Sequence, residues 1–262
     1  MIQSPMTTCR DNICRFILIC AAAAWLAGCQ TNWDNITTSI KDDVSDLPCN
    51  LWQDSKNLVT SRENQIVLLT AGAASGAVRC AYDDDVADHF EETKTFGRDF
   101  SIAAGAVPIT ELSITGLAYL NSLATDDEQG YQVWRSMIEA QALNGMLTQS
   151  LKWIAQDDCP NGEYYAWPSG HTSVAVTFAT VLNEFYGPLV GLPLYGLAGF
   201  TAWERMENEE HWASDIIFGA AIGYTVGKTV ASRYKPEIFG MDLVPYVDPY
   251  NGATGIALMK QF

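Results

Sequence analysis

The sequence predicts an all-α domain with a short β-hairpin appended at its C-terminus. Two observations carry this. From Asn64 onwards apolar residues recur at helical rather than alternating spacing, with no internal repeat and no low-complexity tract. After residue 235 the pattern changes: Leu243 to Val247 and Ile256 to Met259 flank a Pro249-Tyr250-Asn251-Gly252 turn, which is a hairpin signature. The expected organisation is a leader over 1–28, a tether and N-terminal arm over 29–60, a helical domain over 61–235, and a tail over 236–262.

The leader comes first. Arg10 and Arg15 make a positive start, Phe16 to Leu26 is a short apolar stretch, and Leu26-Ala27-Gly28-Cys29 reads as a lipobox. Small residues admit the peptidase, and the Cys29 thiol takes the lipid. Gln30 follows where an aspartate often marks inner-membrane retention, so the expected location is the cell envelope, lipid-anchored at the outer membrane and facing the periplasm. Stable anchoring takes more than one acyl chain, which a triacylated cysteine supplies.

The chain carries a formal net charge of −16, and losing the leader makes it one unit more negative. Such a surface repels nucleic acid and excludes a general polyanion binder. Any anion site must be a local exception. Three of the seven cysteines, Cys49, Cys80 and Cys159, lie beyond the leader and lipobox. An oxidising compartment permits one disulfide, and Cys49 with Cys80 is the pairing expected; three buried thiols is the other reading.

The polar, aperiodic residues 30–60 read as a tether. Asn64 to Val78 forms a short apolar helix. Asp83-Asp84-Asp85 suits the start of another helix carrying His89, where capping is expected rather than metal binding. Longer helices follow over 99–124 and 131–154. In the second, Trp134, Ile138, Ala142 and Met146 form one stripe, with Leu143, Leu147, Leu151 and Ile154 beside it. A buried helix runs from Thr172 to Tyr186, an uncharged segment from Phe185 to Trp203, and a last helix from about Asn208 to Ser232. Two prolines and four glycines in the uncharged segment, and near-zero overall hydropathy, predict a soluble domain on a lipid leash rather than a polytopic protein.

Two of the three histidines lie in motifs that suit catalysis. Pro168-Ser169-Gly170-His171 opens a helix, where free N–H groups form an anion site and a glycine permits close backbone approach. His171 would stand beside the anion, able to protonate a leaving oxygen. Arg205-x5-His211-x3-Asp215 places a carboxylate four residues from an imidazole, on one helix face. The carboxylate can fix the tautomer and leave the other nitrogen free to attack. Arg205 and an upstream Lys152 could neutralise a phosphoryl centre, so no metal or other cofactor is expected.

These motifs resemble the type-2 phosphatidic acid phosphatase superfamily, whose signature is Lys-x6-Arg-Pro, Pro-Ser-Gly-His and Ser-Arg-x5-His-x3-Asp. Here the parts read Lys152-x6-Cys159-Pro160, Pro168 to His171, and Glu204-Arg205-x5-His211-x3-Asp215. The resemblance spans roughly residues 60–235. It implies a helical bundle, His211 as the nucleophile forming a phosphohistidine, Asp215 as its partner and His171 as general acid. Lys152, Ser169, Gly170 and Arg205 are then phosphate-binding. The implied function is metal-independent hydrolysis of a phosphomonoester or lipid phosphate, by an acid phosphatase- or lipid phosphate phosphatase-like hydrolase held at a membrane through its lipid anchor.

Two positions depart from the signature. Cys159 stands in the arginine slot and Glu204 in the serine slot, so the site is up to two charges more negative. Another cation, Arg98 or Arg135, could substitute. A noncatalytic lipoprotein that binds anions or partner proteins on the same fold is the alternative. Vanadate-dependent halide oxidation is a third reading, disfavoured by the missing arginine.

Overall fold

Ser61 is the corner at which the chain turns from one helix into the next. Its hydroxyl accepts the backbone N–H of Asn64, capping α2 (Arg62–Ala81), while α1 (Trp33–Thr60) ends just before it. Then come α3 (Asp83–Glu92), α4 (Val107–Ala124), α5 (Glu128–Ala155), α6 (Gly170–Tyr186), α7 (Pro188–Glu207) and α8 (Ala213–Tyr234). The computed structural model describes residues 33–95, 104–234, 237–238, 241–247 and 254–259. The leader, Cys29 and Arg98 lie outside the described residues.

Helices α5, α6 and α8 form the centre, with α1 and α2 packed around them. Their core is Val133, Met137, Ala140 and Leu143 of α5, Phe178, Val181 and Leu182 of α6, and Ile222, Val226 and Val230 of α8. On α5 the buried stripe is therefore rotated by about one residue from the expected one. Met146 and Ile154 are exposed, and Trp134 only packs against the core. Helix α8 approaches α6 through small residues. A side chain at Gly219 would meet the Ser169 carbonyl oxygen at 2.6 Å, and one at Gly223 the Ser173 carbonyl at 2.4 Å. That close approach is what seats the start of α6 against α8.

The arm expected as a tether is helical from Trp33 onwards and packs on α5. Its polar residues are partners rather than a solvated leash. Asp43 holds Arg135 at 3.0 Å and accepts hydroxyls from Tyr119 and Tyr131, Asn50 donates to Glu139, and buried Asp54 faces Arg233 at 3.2 Å. These partners lie far along the chain, so local pattern could not reveal them.

Cys49 and Cys80 are exposed free thiols, and Cys159 is a buried one, so the expected disulfide does not form. Cys49 lies 12 residues before the Ser61 corner and Cys80 lies 19 after it. At about 1.5 Å per residue, two helices folded flush on that corner would leave them about 10 Å out of register. A disulfide tolerates roughly 7 Å between Cα atoms.

Asp83, Asp84 and Asp85 occupy the first turn of α3, but Asp83 caps a different helix. Its carboxylate accepts the backbone N–H and the hydroxyl of Ser214 at 3.0 and 2.5 Å, at the start of α8. Among the described residues no cluster of His, Cys, Asp and Glu is arranged to hold a metal ion.

Helices α4 and α7 are inverted in polarity. Helix α4 buries Glu111, Thr115, Tyr119 and Ser122 while exposing Ile109, Leu112, Ile114 and Leu120. Helix α7 buries Gly191, Ala198, Thr201 and Ala202 while exposing Leu189, Leu192 and Leu197. Among the described residues no helix is long and apolar enough to cross a membrane.

At the C-terminus, β2 (Met241–Val247) pairs antiparallel with β1 (Glu237–Ile238) and with β3 (Thr254–Met259), Leu243 opposite Leu258 and Val247 opposite Thr254. Residues 248–253, where the turn is expected, lie outside the described residues.

Candidate active site

Helix α6 starts where Ser169 supplies its N-cap. The Ser169 hydroxyl accepts the Thr172 N–H at 3.4 Å and lies 3.0 Å from the Thr172 hydroxyl. Ser169 is thus fully buried and engaged in holding the helix start. Gly170 and His171 follow and line an open cleft of about 370 Å³. A cis peptide joins Trp167 to Pro168 just ahead of them.

The second wall is the loop between α7 and α8. The expected helix from Asn208 is absent. Glu209 sits at φ 59°, in the left-handed region that breaks a helix, and α8 begins only at Ala213. His211 therefore precedes the helix while Asp215 lies in its first turn. Asp215 Oδ2 accepts the Trp212 N–H at 2.9 Å and lies 3.2 Å from His211 Nδ1. The i,i+4 pair forms through the helix start rather than across a helix face. With Nδ1 carrying the proton towards Asp215, Nε2 keeps its lone pair. The Asp215 carbonyl also accepts the Ser169 N–H at 3.1 Å, tying the two motifs directly together.

Lys152 occupies the last turn of α5, as expected, and enters the cleft. Its ammonium donates to the carbonyls of Tyr165 and Ala166, the latter at 3.0 Å. Burial lowers its pKa, opposed by the negative charge of Asp215. Tyr165, held at φ 72°, turns its carbonyl towards that ammonium. Burial, then the charges of Arg205, His211 and Lys152, push the His171 pKa down to about 4. The His171 imidazole is therefore neutral at pH 7.

Cys159 does line the cleft, so the missing guanidinium is a change within the site. Burial pushes its thiol up to about 11, partly offset by Lys152, and it contributes no charge at neutral pH. Arg135 does not replace the missing cation: it is bound to Asp43 at 3.0 Å and Asp46 at 3.5 Å in the α1–α5 network.

Arg205 is 4 % exposed and does not line the cleft. Glu204 grips it with two bonds, Nε to Oε2 at 2.6 Å and Nη2 to Oε1 at 2.8 Å. Its remaining edge, Nη1, donates to Glu210, which does line the cleft. Sequence reasoning did not single out Glu210. The signal was available in its position beside His211, but nothing local says which way its carboxylate turns.

Residues 134–238, which hold all three motifs, match the PAP2 superfamily. A lipid A 1-phosphatase of Porphyromonas gingivalis is 30% identical over 156 residues, covering 56% of this chain and 33% of the relative. The chain thus spans about a third of that curated relative's length. Among solved structures, the first transmembrane PAP2-type phosphatidylglycerolphosphate phosphatase of Bacillus subtilis superposes with a TM-score of 0.51 at 15% identity, over 64% of this chain and 92% of that one. Aquifex aeolicus LpxE gives 0.48 at 19% identity, over 58% and 96%. The Bacillus likeness is one of fold.

Proposed function

We propose that the chain is a phosphatase acting on phosphorylated lipids or related phosphomonoesters through a phosphohistidine on His211. The observation that carries this is the His211 Nδ1–Asp215 pairing at 3.2 Å, in one cleft with His171 and Lys152. Asp215 orients the ring and stabilises the charge that develops on it; Nε2 attacks phosphorus, and the P–O bond to the leaving group breaks. His171 gives its proton to that leaving oxygen. A pKa of about 4 leaves His171 neutral at pH 7, so the entering phosphate's negative charge must raise it first. In the second half, neutral His171 takes a proton from water, hydroxide bonds to phosphorus, the N–P bond breaks and phosphate leaves. No metal is used in these steps. Gly170 and Lys152 contact the anion in this scheme, Arg205 supplies charge from behind Glu210, and Ser169 acts through the helix start that it caps.

The lipid class is supported by the relatives' names together with the inverted faces of α4 and α7. Exposed leucines and isoleucines on an acidic protein fit an uncharged hydrocarbon boundary. On this reading the domain lies against the envelope leaflet, and lipidation at Cys29 tethers it there. In an unlipidated Cys29→Ala background the protein should float with phosphatidylcholine vesicles, and a Leu112→Asp/Leu192→Asp double variant should not; equal flotation of the two sinks the lipid-facing assignment.

Phosphate release from dilauroyl phosphatidic acid and from phenyl phosphate tests the reaction, with His211→Ala beside the wild type and acid-labile phosphoprotein trapped in a single turnover. Release that survives His211→Ala rejects the mechanism. The second reading, an anion-binding protein without turnover, is favoured by one observation: Arg205 is held by two carboxylates while Cys159 is uncharged. It predicts phosphate binding with no phosphoprotein.

A further inference from the structure

The charge in the cleft does not suit a bare phosphate dianion. Among the described residues Lys152 is the one lysine or arginine that lines it, while Glu163 and Glu210 line it with carboxylates. Arg205 stands behind, its Nε and one Nη2 donor taken by Glu204 and its Nη1 edge by Glu210. The two carboxylates on Arg205 are unequal. Glu204 is 1 % exposed and also accepts from Asn208, so it is a fixed part of the wall. The Glu210 side chain is 38 % exposed and can leave without burying a charge. A phosphate that reaches Arg205 must displace Glu210, and a freed carboxylate beside a dianion is repelled unless a cation joins them.

We propose, on the phosphatase reading above, that Glu210 is the specificity-determining residue of this cleft. It occupies the donor edge of Arg205 that phosphate needs, and it releases that edge to phosphate esters that bring a cation beside phosphorus. The cation takes Glu210, and the phosphate takes Nη1 of Arg205. Two sources offer that chemistry: an ammonium group built into the ester, or a divalent ion travelling with the phosphate.

The test compares O-phosphoethanolamine with 2-hydroxyethyl phosphate, near-isosteric esters that differ in the ammonium, on wild type and Glu210→Gln. Each is assayed in EDTA and in millimolar Mg²⁺, and inorganic phosphate affinity is measured separately by calorimetry. In EDTA the wild type should favour the ammonium ester by about tenfold or more in kcat/KM, and Glu210→Gln should level the two. If the cation is a divalent ion, Mg²⁺ raises 2-hydroxyethyl phosphate turnover in the wild type and not in the variant. In either case Glu210→Gln should bind inorganic phosphate about tenfold more tightly, an effect lost when Arg205→Gln is added. An unchanged ester ratio in EDTA together with no Mg²⁺ effect that depends on Glu210, or unchanged phosphate affinity, overturns the proposal. Phosphate binding that tightens in Glu210→Gln with neither ester hydrolysed supports the displacement and rejects the phosphatase reading instead.

Discussion

Arg233 and Arg205 are each held by two carboxylates, at opposite kinds of site. Arg233 of α8 meets Asp54 of α1 and Glu139 of α5, and both carboxylates are buried, Asp54 fully. Arg205 meets buried Glu204 and half-exposed Glu210 at the cleft wall. The first cluster ties three helices together and has no exchangeable partner. The second keeps one partner at the water's edge, where a ligand can replace it. Removing Arg233 leaves the buried carboxylate of Asp54 without that cation, whereas swapping an exposed partner mainly changes what the remaining charge can bind.

The comparison can be broken by experiment, and the largest effect belongs to the cleft. Asp215→Asn should reduce phosphate release by about ten-thousandfold, because the amide no longer holds the attacking tautomer of His211. Loss below about tenfold would detach Asp215 from the chemistry. Arg233→Met should leave turnover intact and destabilise the fold by about 3 kcal/mol, read as a lower urea midpoint. The cost should ease as pH falls towards about 6, because without Arg233, which lowers the Asp54 pKa against burial, the variant's carboxyl takes up its proton at a higher pH than the wild type's. A turnover defect without loss of stability would erase the contrast between the clusters.

Glu111 sharpens the same point, with one buried carboxyl oxygen that has no partner among the described residues. Burial raises its carboxyl to about 8, so the folded protein keeps a proton that the unfolded chain loses above about 4.5. Stability therefore falls as pH rises from about 4.5 to 8, and Glu111→Gln should recover on the order of 3 kcal/mol at pH 7. A pH-independent difference between wild type and variant would contradict the burial argument. The smallest effect is spectroscopic. The His171 ring should titrate near pH 4 in the free protein, and orthovanadate should shift that midpoint upward by a unit or more in a proton NMR titration.

Much of the candidate site's wall was legible in the sequence because its determinants are local. Ser169 caps the helix that it opens, His211 and Asp215 are near neighbours, and Lys152 ends the helix that periodicity marks out. Legibility failed where a residue's partner lies far along the chain. Polar α1 reads as a tether until Arg135 and Arg233 are brought to Asp43 and Asp54. Asp83 reads as a cap for its own helix until Ser214 arrives. The hydrophobic pattern of α4 and α7 is visible, but its direction is not, because a helix alone does not say which face its neighbours cover.

By itself the sequence determined the helical character of the chain from Asn64 onwards, the order of the three motifs and the residue types in the candidate site, since these depend on spacing within a few turns of chain. Only the tertiary structure decided that Cys159 faces the cleft, that Glu204 locks Arg205, that Glu210 screens it, and that two helices turn their apolar faces outward. Each of those depends on which groups are brought within a few ångströms from distant segments. Charge pairing and burial act through that distance, and sequence separation does not record it.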